Sequence, residues 1–280
     1  MAMIRLGPGL RVPLSGMPCD AHLHIIDRRF PAADPSVKLP ANMTLSDYRL
    51  LQHETGTVRA VIVQPKHYGT DNRCTLDAIA QLNGHGRGIA VAHPDISDAQ
   101  LRQLDAGGIR GLRFSLWNPA DATTSIEMIE PLSRRIQGLG WHVQLHMSGC
   151  QIARHAALIE RLACPIVFDH MGRLPPHLGI AHPAYAVIGH LVNQDRAWVK
   201  LSGAYLNTDS GPPAYADACA VARAFARDMP QRLLWGSDWP HITEACKPAA
   251  ADLVGLLLGG MPAEMIERVL VDNPARLYGF

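Results

Sequence analysis

The 280-residue sequence predicts an α/β fold of the (β/α)8 TIM-barrel type. Short runs rich in β-branched residues alternate with helical patterns from residue 17 to the C-terminal region. Eight such alternations are typical of a barrel in which each parallel strand is followed by a helix. Histidines and acidic residues also lie where the predicted strands end, and in such barrels functional groups gather at the carboxyl ends of strands.

The elements alternate in order along the chain, with predicted strands at 17–25, 58–64, 88–93, 109–116, 142–146, 165–170, 198–202 and 232–238. Predicted helices cover 46–55, 73–82, 97–106, 124–139, 151–162, 183–193, 213–229, 247–258 and 262–271. The competing topology is a doubly wound open sheet, but no G-x-G-x-x-G follows the first strand. Since no repeat or linker interrupts the pattern, we interpret residues 1–280 as a single domain.

Composition excludes several classes of partner. The net charge of +1, with 18% charged and 6% aromatic residues, predicts neither nucleic-acid nor membrane binding. The six cysteines form no C-x-x-C pair, which is typical of reduced thiols in a cytoplasmic protein. Residues 1–16 contain no apolar signal-peptide core, and the longest apolar run, 253–258, is too short to span a bilayer. Composition leaves open whether the protein forms a homo-oligomer.

The predicted strand ends carry a consistent set of chemical groups. One strand ends in His22 and His24, and others end in His146, in Asp169 with His170, and in Asp238. A single histidine is more often a hydrogen-bonded core residue than a functional one. Because several lie at the same predicted barrel mouth, we predict a functional site there.

Two chemistries fit this set. In the first, His22, His24, His146 and Asp238 bind one zinc-like divalent ion that lowers the pKa of a bound water. In the second, Asp238 is the general base on a free water and the histidines donate hydrogen bonds to the developing oxyanion. Neither requires an organic cofactor.

Arg113, in the fourth predicted strand, bears on both the metal and the substrate. A guanidinium there disfavours a second metal ion and favours an anionic substrate, since arginine matches a carboxylate in bidentate fashion. Further candidate substrate contacts, each with an equally ordinary role in loops or packing, are Lys66, His67, Trp117, Arg173 and Tyr205. Of these, Trp117 and Tyr205 would supply apolar walls.

Four segments resemble the amidohydrolase superfamily, in its amidohydrolase-2 branch. They are Asp-Ala-His-Leu-His at 20–24, Val-Phe-Asp-His-Met-Gly-Arg at 167–173, Leu-Trp-Gly-Ser-Asp-Trp-Pro-His at 234–241 and Asp-Asn-Pro-Ala-Arg-Leu-Tyr at 272–278. They extend over nearly the whole chain, so the barrel is expected to be of the amidohydrolase type. The segments 64–72 and 108–114 are similar to the lactone-processing members, which include pyrone-dicarboxylate lactonases, sugar-acid lactonases and galactarolactone isomerase.

The resemblance implies a metal-free mechanism in the pyrone-dicarboxylate members. Asp238 would activate water, while His22, His24 and His170 would polarise the lactone carbonyl. Of the family's arginines that hold two carboxylates, only Arg113 has a clear match.

The other two arginines of that clamp fall at Pro119 and near Tyr205-Leu206, and His146 replaces a tyrosine. A singly charged or polyhydroxylated lactone is therefore expected. Dependence on one zinc-like ion stays an open alternative, because His146 would add a fourth possible metal ligand.

We therefore predict a hydrolase that opens a carboxylated or sugar-acid lactone, a cyclic carboxylic ester, by water attack. The alternatives are a lactone isomerase and a metal-dependent, non-oxidative decarboxylase of the same branch. A barrel that binds a sugar acid without catalysis is the non-enzymatic alternative, which the intact Asp238 and histidine set disfavours.

Overall fold

Eight parallel strands form the central sheet of the computed structural model, which describes residues 2–7 and 9–280. Each strand pairs with the strands that precede and follow it in the chain. This order confirms the barrel prediction, because a doubly wound sheet reverses its strand order midway. The strands are β3 (Cys19–Leu23), β4 (Arg59–Val63), β5 (Gly86–Ala90), β6 (Ile109–Ser115), β7 (His142–His146), β8 (Ile166–Phe168), β9 (Ala197–Leu201) and β10 (Leu233–Trp235).

The first and last barrel strands meet at the mouth. Backbone hydrogen bonds run from Asp238 N to His22 O (2.8 Å) and from His24 N to Trp239 O (2.8 Å). Gly236 permits this approach, because a Cβ there would lie 2.4 Å from the Cβ of His22. The closure brings residues about 215 positions apart in the sequence to one small volume.

Helices surround the barrel and pack their apolar faces against it. They are α1 (Leu45–Thr55), α2 (Arg73–Gln81), α3 (Asp98–Ala106), α4 (Ile129–Gln137), α5 (Gly149–Arg154), α6 (Ala156–Glu160), α7 (Pro183–Asn193), α8 (Ala216–Asp228), α9 (Ala250–Leu258), α10 (Ala263–Glu267) and α11 (Asn273–Tyr278). The predicted helix 151–162 is two helices, since His155 leaves helical geometry (φ −103°, ψ 18°). The predicted helix 262–271 includes a π-helical stretch, Arg268–Asp272, that leads into α11.

An antiparallel hairpin that the sequence analysis does not assign precedes the barrel. It consists of β1 (Ala2–Gly7) and β2 (Leu10–Leu14), and it packs against α9. At the opposite end of the chain, the buried Tyr278 ring packs with the apolar interior residues of the strands. In residues 2–7 and 9–280, no helix is both long and apolar enough to cross a membrane.

Candidate active site

A cavity of about 460 Å³ opens at the carboxyl ends of the strands. Its size suits a small organic ligand. The cavity is lined by His24, Pro65, Lys66, His67, Arg113, Ser115, Trp117, Asn118, Asp121, His146, His170, Arg173, Tyr205, Leu206, Asp238, Ile242, Thr243 and Glu244. Every residue predicted to contact substrate therefore lies on the cavity wall, and so do His24, His146, His170 and Asp238. His22 lies beneath them, with none of its side chain exposed to solvent (0%).

Asp238 is the centre of the histidine cluster. Its Oδ1 lies 3.4 Å from Nε2 of His22 and 3.4 Å from Nε2 of His24, and its Oδ2 lies 4.0 Å from Nε2 of His170. Asp238 has a left-handed backbone (φ 57°), as does His170 (φ 50°). Such conformations cost non-glycine residues roughly 1 kcal/mol or more and occur most often at functional sites.

The histidines around Asp238 are held by partners on their other ring nitrogen. Nδ1 of His24 contacts the carbonyl oxygen of Val63 at 2.8 Å, so this nitrogen carries the proton and donates. Nδ1 of His170 contacts Oγ of Ser202 at 2.9 Å. Gly203 lies against the same ring and has a positive φ of 62°. A Cβ at that position would meet Nδ1 of His170 at 2.8 Å.

A buried polar network lies below His22 inside the barrel. Nδ1 of His22 is 3.3 Å from Nζ of Lys200 and 3.2 Å from Oδ1 of Asp169. Nζ of Lys200 also donates to Oε1 of Gln144 at 2.7 Å. Oδ2 of Asp169 accepts from Nε of Arg113 (3.0 Å) and from Nε2 of Gln144 (3.2 Å). Asp169 therefore connects Arg113 and Gln144 to the residues beneath His22.

Asp20 connects the first barrel strand to the segment that carries Asp238. Its Oδ1 accepts from the backbone N–H groups of His22 (3.1 Å) and Ser237 (2.9 Å). Its Oδ2 accepts from the hydroxyls of Ser237 (2.5 Å) and Tyr48 (3.1 Å). Burial raises the pKa of Asp20 to about 6 despite these hydrogen bonds.

Burial and neighbouring charges keep His22 and His170 neutral and Asp238 and Asp169 ionised at neutral pH. Burial lowers the pKa of His22 to about 3 and that of His170 to about 3. Burial alone would raise the pKa of Asp238, but the adjacent His170, His24 and His22 lower it well below its usual range. The pKa of Asp169 is likewise low, because His22, Arg113 and Lys200 outweigh its burial.

Three donor atoms, one each from His22, His170 and Asp238, lie within 4.8 Å of one another and fit a single metal ion. Nε2 of His22 is also buried without a hydrogen-bond partner in the described part of the chain, which leaves it free for a ligand. This group differs from the predicted set of His22, His24, His146 and Asp238. His24 still contacts Asp238 and could join it, whereas His146 is engaged elsewhere.

His146 faces an arginine. Its Nδ1 contacts Oγ of Ser115 at 2.9 Å, and its Nε2 lies 3.4 Å from Nη1 of Arg173. Since arginine only donates, Nε2 of His146 accepts, and its lone pair points toward a cation. This arrangement does not suit a metal ligand. Burial, followed by Arg113, holds the pKa of His146 well below its usual value.

Arg173 packs against the Trp117 ring, with 3.6 Å between the guanidinium carbon and the ring centroid. The contact is a cation–π interaction, so Trp117 stabilises the charge of Arg173 in addition to forming an apolar wall. Nη2 of Arg173 also donates to the carbonyl oxygen of Leu206 at 2.7 Å. Arg173 therefore has a loop contact and also lines the cavity, where its contact with a substrate anion stays a prediction.

Lys66 and His67 lie on the opposite side of the cavity. Nζ of Lys66 pairs with Oδ2 of Asp121 at 3.1 Å, and both side chains are about half exposed. His67 is half-buried, and burial followed by the charge of Lys66 lowers its pKa.

Tyr205 makes polar contacts in addition to forming the predicted apolar wall. Its hydroxyl donates to Oδ2 of Asp238 at 2.5 Å and contacts Nδ1 of His241 at 3.0 Å. Because the phenol proton is used by Asp238, His241 donates from Nδ1. Nε2 of His241 then has no hydrogen-bond partner within 2–7 and 9–280.

Sequence reasoning missed Lys200, Gln144 and His241. The first two carried a readable signal, because each is a polar residue between two apolar neighbours within a predicted strand. His241 stands in the Leu-Trp-Gly-Ser-Asp-Trp-Pro-His segment but beyond the strand end, where a turn, not the strand period, sets its direction.

Fold and site together define a barrel that carries a cluster of histidines around an aspartate at its mouth. The chain belongs to the amidohydrolase family, since the family model described as "Amidohydrolase" matches residues 19–280.

Three curated relatives match over almost their entire length. The 4-sulfomuconolactone hydrolase of Rhizobium radiobacter is 33% identical over 93% of this chain and 89% of its own. The 2-pyrone-4,6-dicarboxylate hydrolase of Comamonas testosteroni is 32% identical over 97% and 92%. The D-galactarolactone isomerase of Agrobacterium fabrum is 26% identical over 92% and 90%.

Solved structures share the fold. An apo protein from Agrobacterium tumefaciens has a TM-score of 0.87 at 26% identity, covering 95% of this chain and 97% of its own. A probable 2-pyrone-4,6-dicarboxylic acid hydrolase from Acinetobacter baumannii, crystallised with citric acid, has a TM-score of 0.81 at 27% identity, with coverage of 94% and 99%. An amidohydrolase from Burkholderia multivorans with bound zinc has a TM-score of 0.72 at 21% identity, with coverage of 94% and 99%.

Proposed function

We propose that this protein hydrolyses the ring ester of a small anionic lactone. The observation that carries the proposal is the position of Asp238 at the floor of the cavity. Its Oδ1 lies 3.4 Å from the Nε2 atoms of both His22 and His24. Relatives named as lactone hydrolases, 33% and 32% identical over nearly the whole chain, support the same reaction.

Asp238 is the general base of the proposed reaction. Its low pKa keeps it ionised, so it can accept a proton from a water molecule that attacks the lactone carbonyl. The neutral imidazoles of His22 and His170 donate to the carbonyl oxygen as it gains negative charge. When the ring C–O bond breaks, Asp238 returns its proton to the leaving alkoxide, and the product is a hydroxy acid.

The charges on the cavity wall favour a substrate with one anionic group. The cavity wall carries equal numbers of positive and negative side chains. The three cations are Lys66, Arg113 and Arg173, and the three anions are Asp121, Asp238 and Glu244. Lys66 pairs with Asp121. Arg113 donates to the buried Asp169 carboxylate through Nε, which leaves its two terminal nitrogens for a ligand. These nitrogens and Arg173, which is held in place by Trp117, are the groups that would receive a carboxylate or sulfonate.

A divalent ion at this site would take the place of the imidazole donors, because a histidine nitrogen that binds a metal carries no proton. His22, His170 and Asp238 would hold it, with His24 adjacent. A bound ion of this kind polarises a carbonyl group and lowers the pKa of water. Zinc is present in the related barrel from Burkholderia multivorans.

The second candidate function is lactone isomerisation, favoured by the relative named D-galactarolactone isomerase. Here a hydroxyl of the substrate replaces water as the nucleophile, and Asp238 would deprotonate it in the same way. The chemistry at Asp238 is shared, so only the product separates the two reactions.

A lactone library with pH-indicator detection tests the proposal, because each ring opening releases one proton at neutral pH. The library includes lactones bearing one carboxylate, one sulfonate, two carboxylates, or several hydroxyls. For each active compound, turnover in ¹⁸O-enriched water is followed by mass spectrometry and NMR. Hydrolysis places solvent oxygen in the new carboxylate, isomerisation does not, and decarboxylation releases carbon dioxide.

Asp238→Asn is the decisive variant. We expect at least about a hundredfold loss of turnover, the usual contribution of a general base. Asp95→Asn, which changes an exposed aspartate, is the matched control. Activity close to wild type in Asp238→Asn would refute the assignment of Asp238, and an absence of ring opening across the library would refute the function.

A further inference from the structure

We propose that Lys200 is a positioning residue that holds His22 in the tautomer with its proton on Nε2, so that His22 donates to the reacting carbonyl oxygen. The catalytic consequence rests on the proposed function, whereas the tautomer itself can be measured without a substrate.

The position of Lys200 is the first observation. It is fully buried (0%) on β9, beneath the floor of the cavity. An ammonium group donates three hydrogen bonds and accepts none. Its neighbours are Oε1 of Gln144 at 2.7 Å, Nδ1 of His22 at 3.3 Å and Oδ1 of Asp169 at 3.8 Å. Nδ1 of His22 is therefore the second-nearest acceptor available to it.

The alternative partner for Nδ1 of His22 is Asp169. Oδ1 of Asp169 lies at 3.2 Å, a short contact. This oxygen nevertheless has no hydrogen-bond partner among the described residues, so the short contact does not have the geometry that a hydrogen bond needs. Lys200, at 3.3 Å, meets the hydrogen-bond geometry. The geometry therefore makes Nδ1 of His22 an acceptor.

An accepting Nδ1 places the proton of neutral His22 on Nε2. That atom is buried and unpartnered within the described chain, and it lies 3.4 Å from Oδ1 of Asp238. A proton on Nε2 makes this contact attractive. An unsatisfied N–H at this point is available to the oxyanion of a tetrahedral intermediate.

The same contact opposes metal binding by His22. A histidine that binds a metal through Nε2 must be bare there, and its other nitrogen usually donates to a carboxylate or carbonyl. His24 has that arrangement, with Nδ1 on the carbonyl oxygen of Val63. Behind His22, the hydrogen-bonded neighbour is the Lys200 ammonium. This group donates a hydrogen bond, and its positive charge would repel a metal cation. Without the ammonium, the ring is free to rotate, so that a protonated Nδ1 would donate to Asp169.

Nitrogen-15 NMR of the full-length protein, labelled at histidine, tests the proposal directly. The His22 signals are assigned by their loss in His22→Gln. In the wild-type protein, freed of metal ions with a chelator, we expect His22 to have a protonated Nε2 and a bare Nδ1 at neutral pH. A protonated Nδ1 with a bare Nε2 in the wild type would overturn the proposal, and this measurement needs neither substrate nor variant.

Lys200→Met removes the donor and keeps an unbranched chain. We expect the His22 proton to shift toward Nδ1, and zinc affinity measured by calorimetry to rise about tenfold, in the range of changes to a ligand's supporting partner. On a substrate found in the library, we expect kcat to fall at least about tenfold with KM little changed. Gln144→Met, which removes a neighbour of Lys200 but keeps the ammonium on His22, should retain the wild-type tautomer.

The outcomes separate the two proposals. A wild-type Nε2–H with no lactone turnover leaves the role of Lys200 standing and refutes the function. A wild-type Nδ1–H with good turnover does the reverse. An unshifted tautomer in folded Lys200→Met, checked by circular dichroism, would also overturn the role of Lys200.

Discussion

The phenol of Tyr205 donates a hydrogen bond of 2.5 Å to Oδ2 of Asp238, and this contact ties the end of one strand to the end of the next. Tyr205 stands near the position where related lactone-processing enzymes are expected to carry an arginine. An aromatic hydroxyl restrains the base without adding a positive charge to the cavity. This arrangement agrees with a substrate that has fewer anionic groups than a pyrone dicarboxylate.

Tyr205→Phe separates the two roles of this side chain. The ring, and therefore the apolar wall, is kept, while the hydrogen bond to the Asp238 carboxylate is lost. Hydrogen bonds to charged groups contribute about 1.5–3 kcal/mol, so we expect kcat/KM to fall at least about tenfold. Tyr185→Phe, which removes a hydroxyl bonded to Asp228 far from the cavity, is the control. Equal activities in the two variants would mean that Tyr205 is only a wall.

Arg173→Met tests the anion contact. We expect KM to rise about tenfold or more with a smaller effect on kcat, because a charge-assisted contact to the substrate is lost in the ground state. Arg154→Met, at an exposed arginine on α5, is the control. Thermal unfolding of both variants measures the contribution of the bond to Leu206. A lower melting temperature with an unchanged KM would assign Arg173 to loop structure alone.

Gly203→Ala tests the position of His170. The new Cβ would lie 2.8 Å from Nδ1 of His170, so the ring must move and turnover should fall at least about tenfold. Gly211→Ala is a close control, because Gly211 also has a positive φ (65°) but no atom within 4 Å of the new Cβ. Both variants bear the backbone strain, and only one disturbs His170. Similar turnover in the two would show that His170 tolerates displacement.

The buried His142 makes stability depend on pH. Burial, followed by the charge of Lys200, lowers its pKa to about 3. Between about pH 6.5 and pH 3 the unfolded chain therefore binds a proton that the folded protein does not, and the free energy of unfolding falls as the pH falls. One such proton corresponds to about 1.4 kcal/mol per pH unit.

His142→Gln should flatten this dependence by about one proton, measured by urea unfolding between pH 4.5 and roughly pH 6.5. The same substitution at the exposed His177 tests whether loss of any imidazole has this effect. An unchanged slope in His142→Gln would show that His142 is not the group that takes up the proton.

Much of the architecture follows from local pattern. Eight alternations of strand and helix lead to the barrel, and His22, His24, His146, His170 and Asp238 lie at its mouth because all parallel strands present their carboxyl ends to one side. To predict these positions, it is enough to know where the strands end and that alternate residues of a strand point to the same face. For that reason, the position of these five residues at the barrel mouth could be predicted from the sequence.

The period of two fails inside the first barrel strand. It places Asp20 on the same face as His22, but the pairing of β3 with β4 shifts in register between Asp20 and Leu23. Asp20 consequently binds Tyr48 on α1 and Ser237, outside the cavity. A bulge depends on how two distant strands fit together, and no local pattern in 19–23 announces it.

The sequence by itself determined which residues gather at the barrel mouth, because chain order and strand period are local properties. Only the tertiary structure decided what each of them faces. It placed Arg173 against His146, the Tyr205 hydroxyl on Asp238, and the Lys200 ammonium behind His22. These pairs join residues between 27 and 178 positions apart, so their geometry is set by the closure of the barrel and the packing of its interior. The proton positions that govern the chemistry depend on that geometry.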